Sequence, residues 1–432
     1  MSGLWLHIRN SPIRWAFPVL VVLDVAVLFL RNRHWIGVWP ETGAAAQVPA
    51  YLLGVVGAGA AAWAASASTR QGVEEQLRAA RVHPARVEAY RIAATLFVLL
   101  APYLIGQAVA FAVTARTFPP GVYLWLGYVL LGLFAILLAV ALGWACGRLL
   151  GPVFSAFTAA LGFLFLTVLL DRAGFVVVSG RPEVTVDPMP MALRLGLVLA
   201  LLLIMLWLPG SGALRQRSRS VAALLPVALS LLAVMATTAA VVDREPPGDD
   251  AICLDGSTRL CIWPEHEKYL PQLRDINARI NELPDVFIRP PLINEAGLHK
   301  KTKFIAPNGK EYLNYEGGPP VFYVFEGSPW SYAGDIGKAI TSKTFGFQDL
   351  RACDWMKLIE PDQARLAAID KWMETYLVGG GRPDYHTNAS QELQQAWAKG
   401  RAVAADPSRA NQFRWVEGEV SDLRGRYCQP TH

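Results

Sequence analysis

The sequence is poor in charged residues, which make up 17% of it, against about 25% in ordinary soluble domains. The shortage is concentrated in residues 1–242, which hold 8 acidic and 17 basic residues and no lysine. Residues 243–432 hold the other 27 acidic and 23 basic residues, including all 10 lysines. These absences exclude a plain soluble enzyme and indicate a membrane-embedded half followed by a soluble half.

Several motifs that carry chemistry are missing from the sequence. No Gly-x-x-x-x-Gly-Lys-Ser/Thr loop occurs, so an ATPase activity would have to reside in a separate chain. Neither Gly-x-Ser-x-Gly nor His-Glu-x-x-His occurs, and no basic face with interleaved aromatic residues indicates nucleic-acid binding. We therefore predict no catalytic residue and no cofactor in this chain.

Seven apolar runs have roughly the 17–25 residues that cross a bilayer as a helix. They lie at residues 13–30, 44–67, 92–114, 121–146, 153–170, 191–208 and 221–242. Arginine is concentrated in alternate gaps, beginning with the N-terminus, and the positive-inside rule makes those gaps cytoplasmic. We expect a multi-pass protein of the plasma membrane, with a cytoplasmic N-terminus and, after seven crossings, an extracytoplasmic tail.

Cysteine usage agrees with that orientation. Of five cysteines, four lie in the tail: Cys253, Cys261, Cys353 and Cys428. An even set in an exported domain is typical of two disulfides, although four cysteines allow three pairings. The Asp-Gly pair between the first two predicts a hairpin closed by its own cysteines, which leaves Cys353 with Cys428. The alternative is four free buried thiols in a cytoplasmic domain.

One carboxyl group interrupts the first apolar run. Asp24 lies near its middle, where an ionisable side chain is costly unless it faces the interior of the helix bundle. Such a residue is by default a functional candidate. The alternative is a structural hydrogen bond to a neighbouring helix, or a protonated carboxyl.

The longest predicted cytoplasmic loop spans residues 68–91 and reads STRQGVEEQLRAARVHPARVEAYR. It predicts a short amphipathic helix broken near Pro84. The preceding layout is a basic stub (MSGLWLHIRNSPIRW), a span, an outside loop (RNRHWIGVWPETGAAAQ) and a small-residue span, and it resembles the permeases of bacterial ABC-2 type exporters. The resemblance covers residues 1–242 and departs from the family in its seventh span and large outer domain.

That resemblance implies that residues 74–91 include a helix that docks onto a separate cytoplasmic ATPase, which would bind the ATP. A second permease copy or a paralogue is a further candidate partner. The alternative without a coupling role is a solvated loop that obeys the positive-inside rule. The implied coupling residues are Glu74, Glu75, Arg78, Arg81 and Arg86.

After a polar linker at residues 243–250, the remaining 182 residues 251–432 are enough for one domain. Hydrophobic periodicity predicts helices at 264–283 and 361–378, and proline positions predict helices that start near 329 and 407. An Asn-Gly pair at 308–309 predicts a hairpin over 303–315, and 321–325 reads as a strand. The predicted fold is an α-helical polytopic membrane bundle followed by a helix-dominated α+β extracytoplasmic domain.

Glu265 and His266 are the candidate site residues of the tail; together with the adjacent Glu267 they could contribute to a metal site that His299 or His386 would close. Neighbouring residues on a helix diverge by about 100°, so these side chains do not converge easily. Acidic residues that stabilise a helix N-terminus explain the cluster without a metal. We therefore predict no metal site.

The order of elements in the tail, ending in AAIDKWMETYL, is similar to that of gluzincin metallopeptidases. In that family the helix at residues 335–346 would carry His-Glu-x-x-His, but here it reads DIGKAITSKTFG and has no histidine. The resemblance implies a metal-free relative that retains a peptide groove without hydrolysis.

Three functional hypotheses follow. The first is the permease-like subunit of an exporter driven by a separate ATPase. The second is a membrane-anchored extracytoplasmic enzyme that acts on peptides, and the third is a ligand-binding or sensor module. Seven spans exceed what an anchor needs, which favours the first hypothesis.

Overall fold

The computed structural model describes residues 3–10, 12–30, 33–70, 83–150, 154–169, 177, 179–207, 214–299, 302–305, 311–314, 319–347, 353, 358–381 and 389–428. The chain divides into two compact units, Met1–Asp243 and Arg244–His432. They are called the N-terminal unit and the C-terminal unit below.

The described residues of the N-terminal unit form helices and one pair of short strands. Its elements are α1 (Gly3–Asn10), a 3-10 helix (Pro12–Ala16), α2 (Phe17–Leu30), α3 (Trp39–Arg70), α4 (Pro84–Thr114), α5 (Val122–Leu149), α6 (Ser155–Leu169), β1 (Val184–Val186), α7 (Pro188–Trp207), α8 (Leu214–Thr237) and β2 (Val241–Asp243). The two strands pair antiparallel, with Val184 opposite Asp243.

Among the described residues of this unit, four helices are long and apolar enough to cross a membrane: Trp39–Ser66, Ala85–Thr114, Val122–Leu149 and Pro188–Leu206. Their length and composition suggest a multi-pass membrane protein. They confirm four of the seven predicted runs as helices of spanning length. The other three runs coincide with α2, α6 and α8, whose apolar helical segments are 14–15 residues long, and their crossing stays a prediction.

The predicted C-terminal end of the last run is wrong. We expected a helix to residue 242, but α8 ends at Thr237, and Val241 and Val242 belong to β2. Both valines are β-branched, which favours an extended backbone. They pair with β1 instead of continuing the helix.

Small residues bring α3 and α5 into close contact. A Cβ atom on Gly143 would lie 2.2 Å from the carbonyl oxygen of Ala58, and one on Gly147 would lie 2.4 Å from that of Ala62. Both pairs repeat at a spacing of four residues, the small-xxx-small pattern of packed membrane helices. Because lipid chains are as apolar as leucine, such close packing is a main source of attraction between these helices.

The C-terminal unit combines helices with small sheets. Its elements are β3 (Ile252–Leu254), β4 (Arg259–Ile262), a 3-10 helix (Pro264–Tyr269), α9 (Leu270–Glu282), β5 (Leu292–Glu295), β6 (Thr302–Ile305), β7 (Glu311–Asn314), β8 (Val321–Phe322), α10 (Pro329–Phe345), α11 (Glu360–Val378), α12 (Gln391–Ala404) and α13 (Arg409–Tyr427). A further 3-10 turn, Gly248–Asp250, precedes them.

Four of the strands form one sheet in the order β3-β4-β5-β8. The first pair is antiparallel, and the pairs β4–β5 and β5–β8 are parallel. Strands β6 and β7 form the predicted hairpin with Thr302 opposite Asn314; its turn at 308–309 lies outside the described residues. The α+β class with small sheets is confirmed.

Several predicted boundaries need correction. The helix expected over 264–283 is a 3-10 helix followed by α9, because Pro271 lacks an N–H and starts a new helix at that point. The strand expected over 321–325 is only Val321–Phe322. We expected the helix that starts near residue 329 to end near residue 341, but α10 continues to Phe345 and ends where Gly346 takes the left-handed conformation at φ 64°. Helix α12 was not predicted.

A carboxylate joins the start of α11 to the end of α13. Asp362 is 2% exposed and accepts a hydrogen bond of 2.7 Å from the hydroxyl of Tyr427. Arg365 and Arg426 form ion pairs with it at 3.0 and 3.4 Å. The Tyr427 hydrogen bond, supported by the two guanidinium groups, lowers the pKa of Asp362.

We expect Gly143→Ala to destabilise the N-terminal unit by about 1–3 kcal/mol, because the new methyl group overpacks the contact with Ala58. The matched control is Gly196→Ala on α7, where a Cβ atom meets no heavy atom within 4 Å. The thermal unfolding midpoint in one detergent should fall for the first variant and stay or rise for the second. Equal midpoints would contradict the proposed close packing.

The lowered pKa of Asp362 predicts how stability depends on pH. Its contribution is present above the ordinary aspartate pKa of about 3.9 and is lost as the pH falls through the lower folded value. Asp362→Asn should therefore lower the unfolding midpoint at neutral pH and change it less in acid. Asp285→Asn, at a side chain 107% exposed, should behave like wild type at every pH, and parallel curves for wild type and Asp362→Asn would refute this account.

Candidate functional site

The N-terminal end of α4, called its base below, is joined to the C-terminal end of α5 by a buried ion pair. Arg148 Nη2 lies 3.1 Å from Glu88 Oε2, and the two side chains are 8% and 11% exposed. Arg91 pairs with the other oxygen of Glu88 at 3.4 Å. One carboxylate thus binds two guanidinium groups on different helices. The N-terminal end of α4 and the C-terminal end of α5 are therefore held together.

The same end of α4 also contacts α1. The imidazole of His7 stacks on the ring of Tyr90 with 6.0 Å between centroids. Arg86, one of the predicted coupling residues, lies over Tyr90 at 5.8 Å and donates from Nε to its hydroxyl at 3.3 Å. The other four predicted coupling residues, Glu74, Glu75, Arg78 and Arg81, lie outside the described residues, and the coupling role stays a prediction.

Asp24 is buried in the N-terminal unit, with 1% of its surface exposed. It faces α4 at Gly106, where an added Cβ atom would fall 1.6 Å from Oδ2. In the described part of the chain, Oδ1 has no hydrogen-bond partner. The absence of a side chain on Gly106 is what admits the carboxyl group.

A chain of polar side chains joins α4 to α5 next to Gly106. Trp125 Nε1 donates to Gln107 Oε1 at 3.1 Å, Gln107 donates to the Tyr103 hydroxyl at 3.0 Å, and that hydroxyl donates to the carbonyl of Val129 at 3.0 Å. Tyr103 also interacts electrostatically with Asp24. The functional and the structural interpretations of Asp24 both remain predictions.

In the C-terminal unit, the predicted residue His266 contacts a residue that sequence analysis missed. His266 Nδ1 lies 2.5 Å from Glu295 Oε1, and the side chains are 1% and 2% exposed. Glu295 Oε2 accepts from the backbone N–H of Trp263 at 2.9 Å. The signal that could have revealed Glu295 is its position as the one acidic residue of the strand LINE.

Glu265 points to a different partner. Its Oε1 accepts from Arg244 Nη1 at 2.6 Å, and the guanidinium of Arg244 lies 4.7 Å from the ring centroid of Trp263. Glu265 is 2% exposed, whereas Glu267 is on the surface. The 3-10 helix thus buries Glu265 and His266, and each of them contacts a different partner.

The geometry of these residues is that of a stabilising cluster. Over the described ranges, no three histidine, cysteine, aspartate or glutamate side chains are arranged to hold a metal ion. His386 lies outside those ranges. Helix α10, at the position of the gluzincin motif helix, contains no histidine.

Both disulfides form between the predicted partners. Cys253 and Cys261 are bonded and lie directly opposite each other on β3 and β4. Cys353 and Cys428 are bonded, and their backbones form an antiparallel bridge. Cys146 at the end of α5 is free. Two disulfides fit an extracytoplasmic domain.

No protein-family model matches this chain, and no curated protein or solved structure is significantly similar to it. What is established is therefore a protein with several long apolar helices, suited to a multi-pass membrane location, and an α+β unit with two disulfides.

Glu295→Ala should destabilise the C-terminal unit by about 3–5 kcal/mol, because it removes one partner of a buried pair. Glu267→Ala, one position after His266 and exposed, is the matched control and should leave the unfolding midpoint unchanged. Elemental analysis should find no stoichiometric zinc in the wild type. One equivalent of zinc that disappears in Glu295→Ala would contradict the stabilising role and restore the metal interpretation.

Proposed function

We propose that this protein is the membrane subunit of an ABC-type exporter that works with a separate cytoplasmic ATPase. The observation that supports the proposal is the set of contacts at the base of α4, namely its ion pair with α5 and its ring contact with α1. That helix begins at Pro84, so it includes residues 84–91 of the loop implied to dock onto the ATPase, and it runs without a break to Thr114.

The length of α4 supports this role. Its 31 residues span about 46 Å at 1.5 Å per residue, whereas the hydrocarbon core is about 30 Å thick. Roughly three turns therefore extend beyond the core. The polar end with Arg86, Glu88 and Arg91 is the end suited to project, because charged groups are costly inside the membrane.

A projecting, continuous helix acts as a lever. Movement of the loop on ATP binding would displace the base of α4, and the Glu88–Arg148 ion pair would carry that displacement to α5. Pro102 lies within α4, where a proline removes a backbone hydrogen bond and favours a bend. The base can thus move relative to the rest of the span, which is what alternating inward and outward states require.

The transport hypothesis is favoured over an anchored enzyme. A single span suffices to hold an enzyme at a membrane, whereas this chain has four long apolar helices with tight α3–α5 packing. We further propose a cytoplasmic N-terminus and an extracytoplasmic C-terminal unit, in agreement with the arginine distribution and with the disulfides.

The test is purification from native membranes followed by an assay of ATP hydrolysis. Wild-type protein should co-purify with a vanadate-sensitive ATPase. Reversing three charges of the loop, by Arg78→Glu, Arg81→Glu and Arg86→Glu, should reduce the recovered activity at least about tenfold, the equivalent of about 1.4 kcal/mol of binding free energy.

The control exchanges the charges of another ion pair, Arg181 with Glu183, whose atoms lie 3.2 Å apart. This pair lies between the fifth and sixth predicted spans, in a gap that the proposed topology puts outside the cell, whereas it puts the loop in the cytoplasm. The exchanged variant should retain the ATPase. Absence of any ATPase from the wild-type preparation, or equal loss in both variants, would refute the proposal.

A further inference from the structure

A groove lies between α11 and α12 in the C-terminal unit. The two helices touch closely at Gly400, where an added Cβ atom would lie 2.2 Å from the carbonyl oxygen of Ala368. Beside their N-terminal halves is an open cavity of about 470 Å³. That volume lies within the roughly 300–1,000 Å³ typical of small-molecule sites.

The floor of the groove is apolar because its side chains are small. Ala364 and Ala368 come from α11, and Ala396 comes from α12. Ala368 and Ala396 are 1% and 7% exposed. A longer side chain at any of these positions would fill the space, so the groove exists because alanine occupies them.

The positive groups at the groove are already neutralised. Arg365 bonds to Glu419 at 2.5 Å and to Asp422 at 2.7 Å, in addition to its ion pair with Asp362. Lys399 pairs with Glu419 at 3.3 Å. Neither cation therefore offers a free charge to a ligand.

The negative groups at the mouth are not neutralised by side chains. Glu360 and Glu392 line the groove and are exposed, and among the described residues neither forms an ion pair. Each lies in the first turn of its helix, where the helix dipole supplies about half a positive charge. Two carboxylates against about one positive charge leave the mouth negative.

We infer that this groove binds an organic cation, a protonated amine or guanidinium carried on an apolar body. The cationic group would lie between Glu360 and Glu392, and the apolar body would cover Ala364 and Ala396. This chemistry is supplied either by a small free amine or by a lysine or arginine side chain of a peptide. The inference concerns the C-terminal unit alone and does not depend on the proposed transport function.

The test measures binding to the full-length protein in lipid nanodiscs by isothermal titration calorimetry. The small probes are 2-phenylethylamine, the neutral 2-phenylethanol and the anionic 3-phenylpropionate; the peptide probes are pentalysine and pentaglutamate. We expect saturable binding of the cationic probes that weakens as salt is added, and no binding of the neutral or anionic ones. Tighter binding of phenylethylamine than of pentalysine identifies a free amine as the ligand class, and the reverse order identifies a peptide side chain.

Two variants separate charge from shape. Glu360→Gln with Glu392→Gln should weaken binding of the cation at least about tenfold, and Ala396→Leu should abolish it by filling the floor. Glu417→Gln, at an exposed carboxylate of α13 that does not line the groove, is the matched control and should bind like wild type.

Unfolding midpoints of all variants show whether each is folded, and the double glutamine variant changes only exposed side chains. Failure of every cationic probe to bind the wild-type protein would overturn the inference. So would equal binding of the neutral probe, or undiminished binding by the folded double variant.

Discussion

The hydrocarbon core of a membrane offers no hydrogen-bonding partner, so a membrane protein must satisfy its polar groups internally. This constraint explains the main features of the N-terminal unit. Its long helices satisfy their own backbone groups, and several of its buried polar side chains are joined in pairs, such as Glu88 with Arg148 and Tyr103 with Gln107. Because lipid gives no hydrophobic drive between helices, α3 and α5 adhere by the close approach that Gly143 permits. The links that satisfy these groups also connect one helix to the next.

The C-terminal unit is stabilised by covalent links in addition to its buried hydrophobic residues. The disulfide between Cys353 and Cys428 closes a loop of 75 residues, which the chain-entropy model values at about 4 kcal/mol. The buried contact between His266 and Glu295 satisfies polar atoms of both side chains within the unit. A rigid unit of this kind can hold a groove open between α11 and α12 without a ligand to fill it.

Features set by local chemistry were predictable from the sequence. The hairpin disulfide, the proline start of α10 and the glycine end of α11 each follow from one or two residues. Features set by distant contacts were not predictable. Glu295 meets His266 only because β5 lies parallel to β4, and 29 residues separate the pair. The α11–α12 groove likewise depends on the distance between two packed helices, which the hydrophobic periodicity of the sequence does not predict.

The central claim is that apolar helices deliver the disulfide-bonded unit to an oxidising compartment outside the cell membrane. Labelling sealed cells with a membrane-impermeant maleimide, with and without prior reductant, tests it directly. The account predicts labelling of Cys253, Cys261, Cys353 and Cys428 only after reduction, with Cys146 unlabelled until the cells are lysed. Labelling of all five cysteines without reductant, and only in lysed cells, would contradict it.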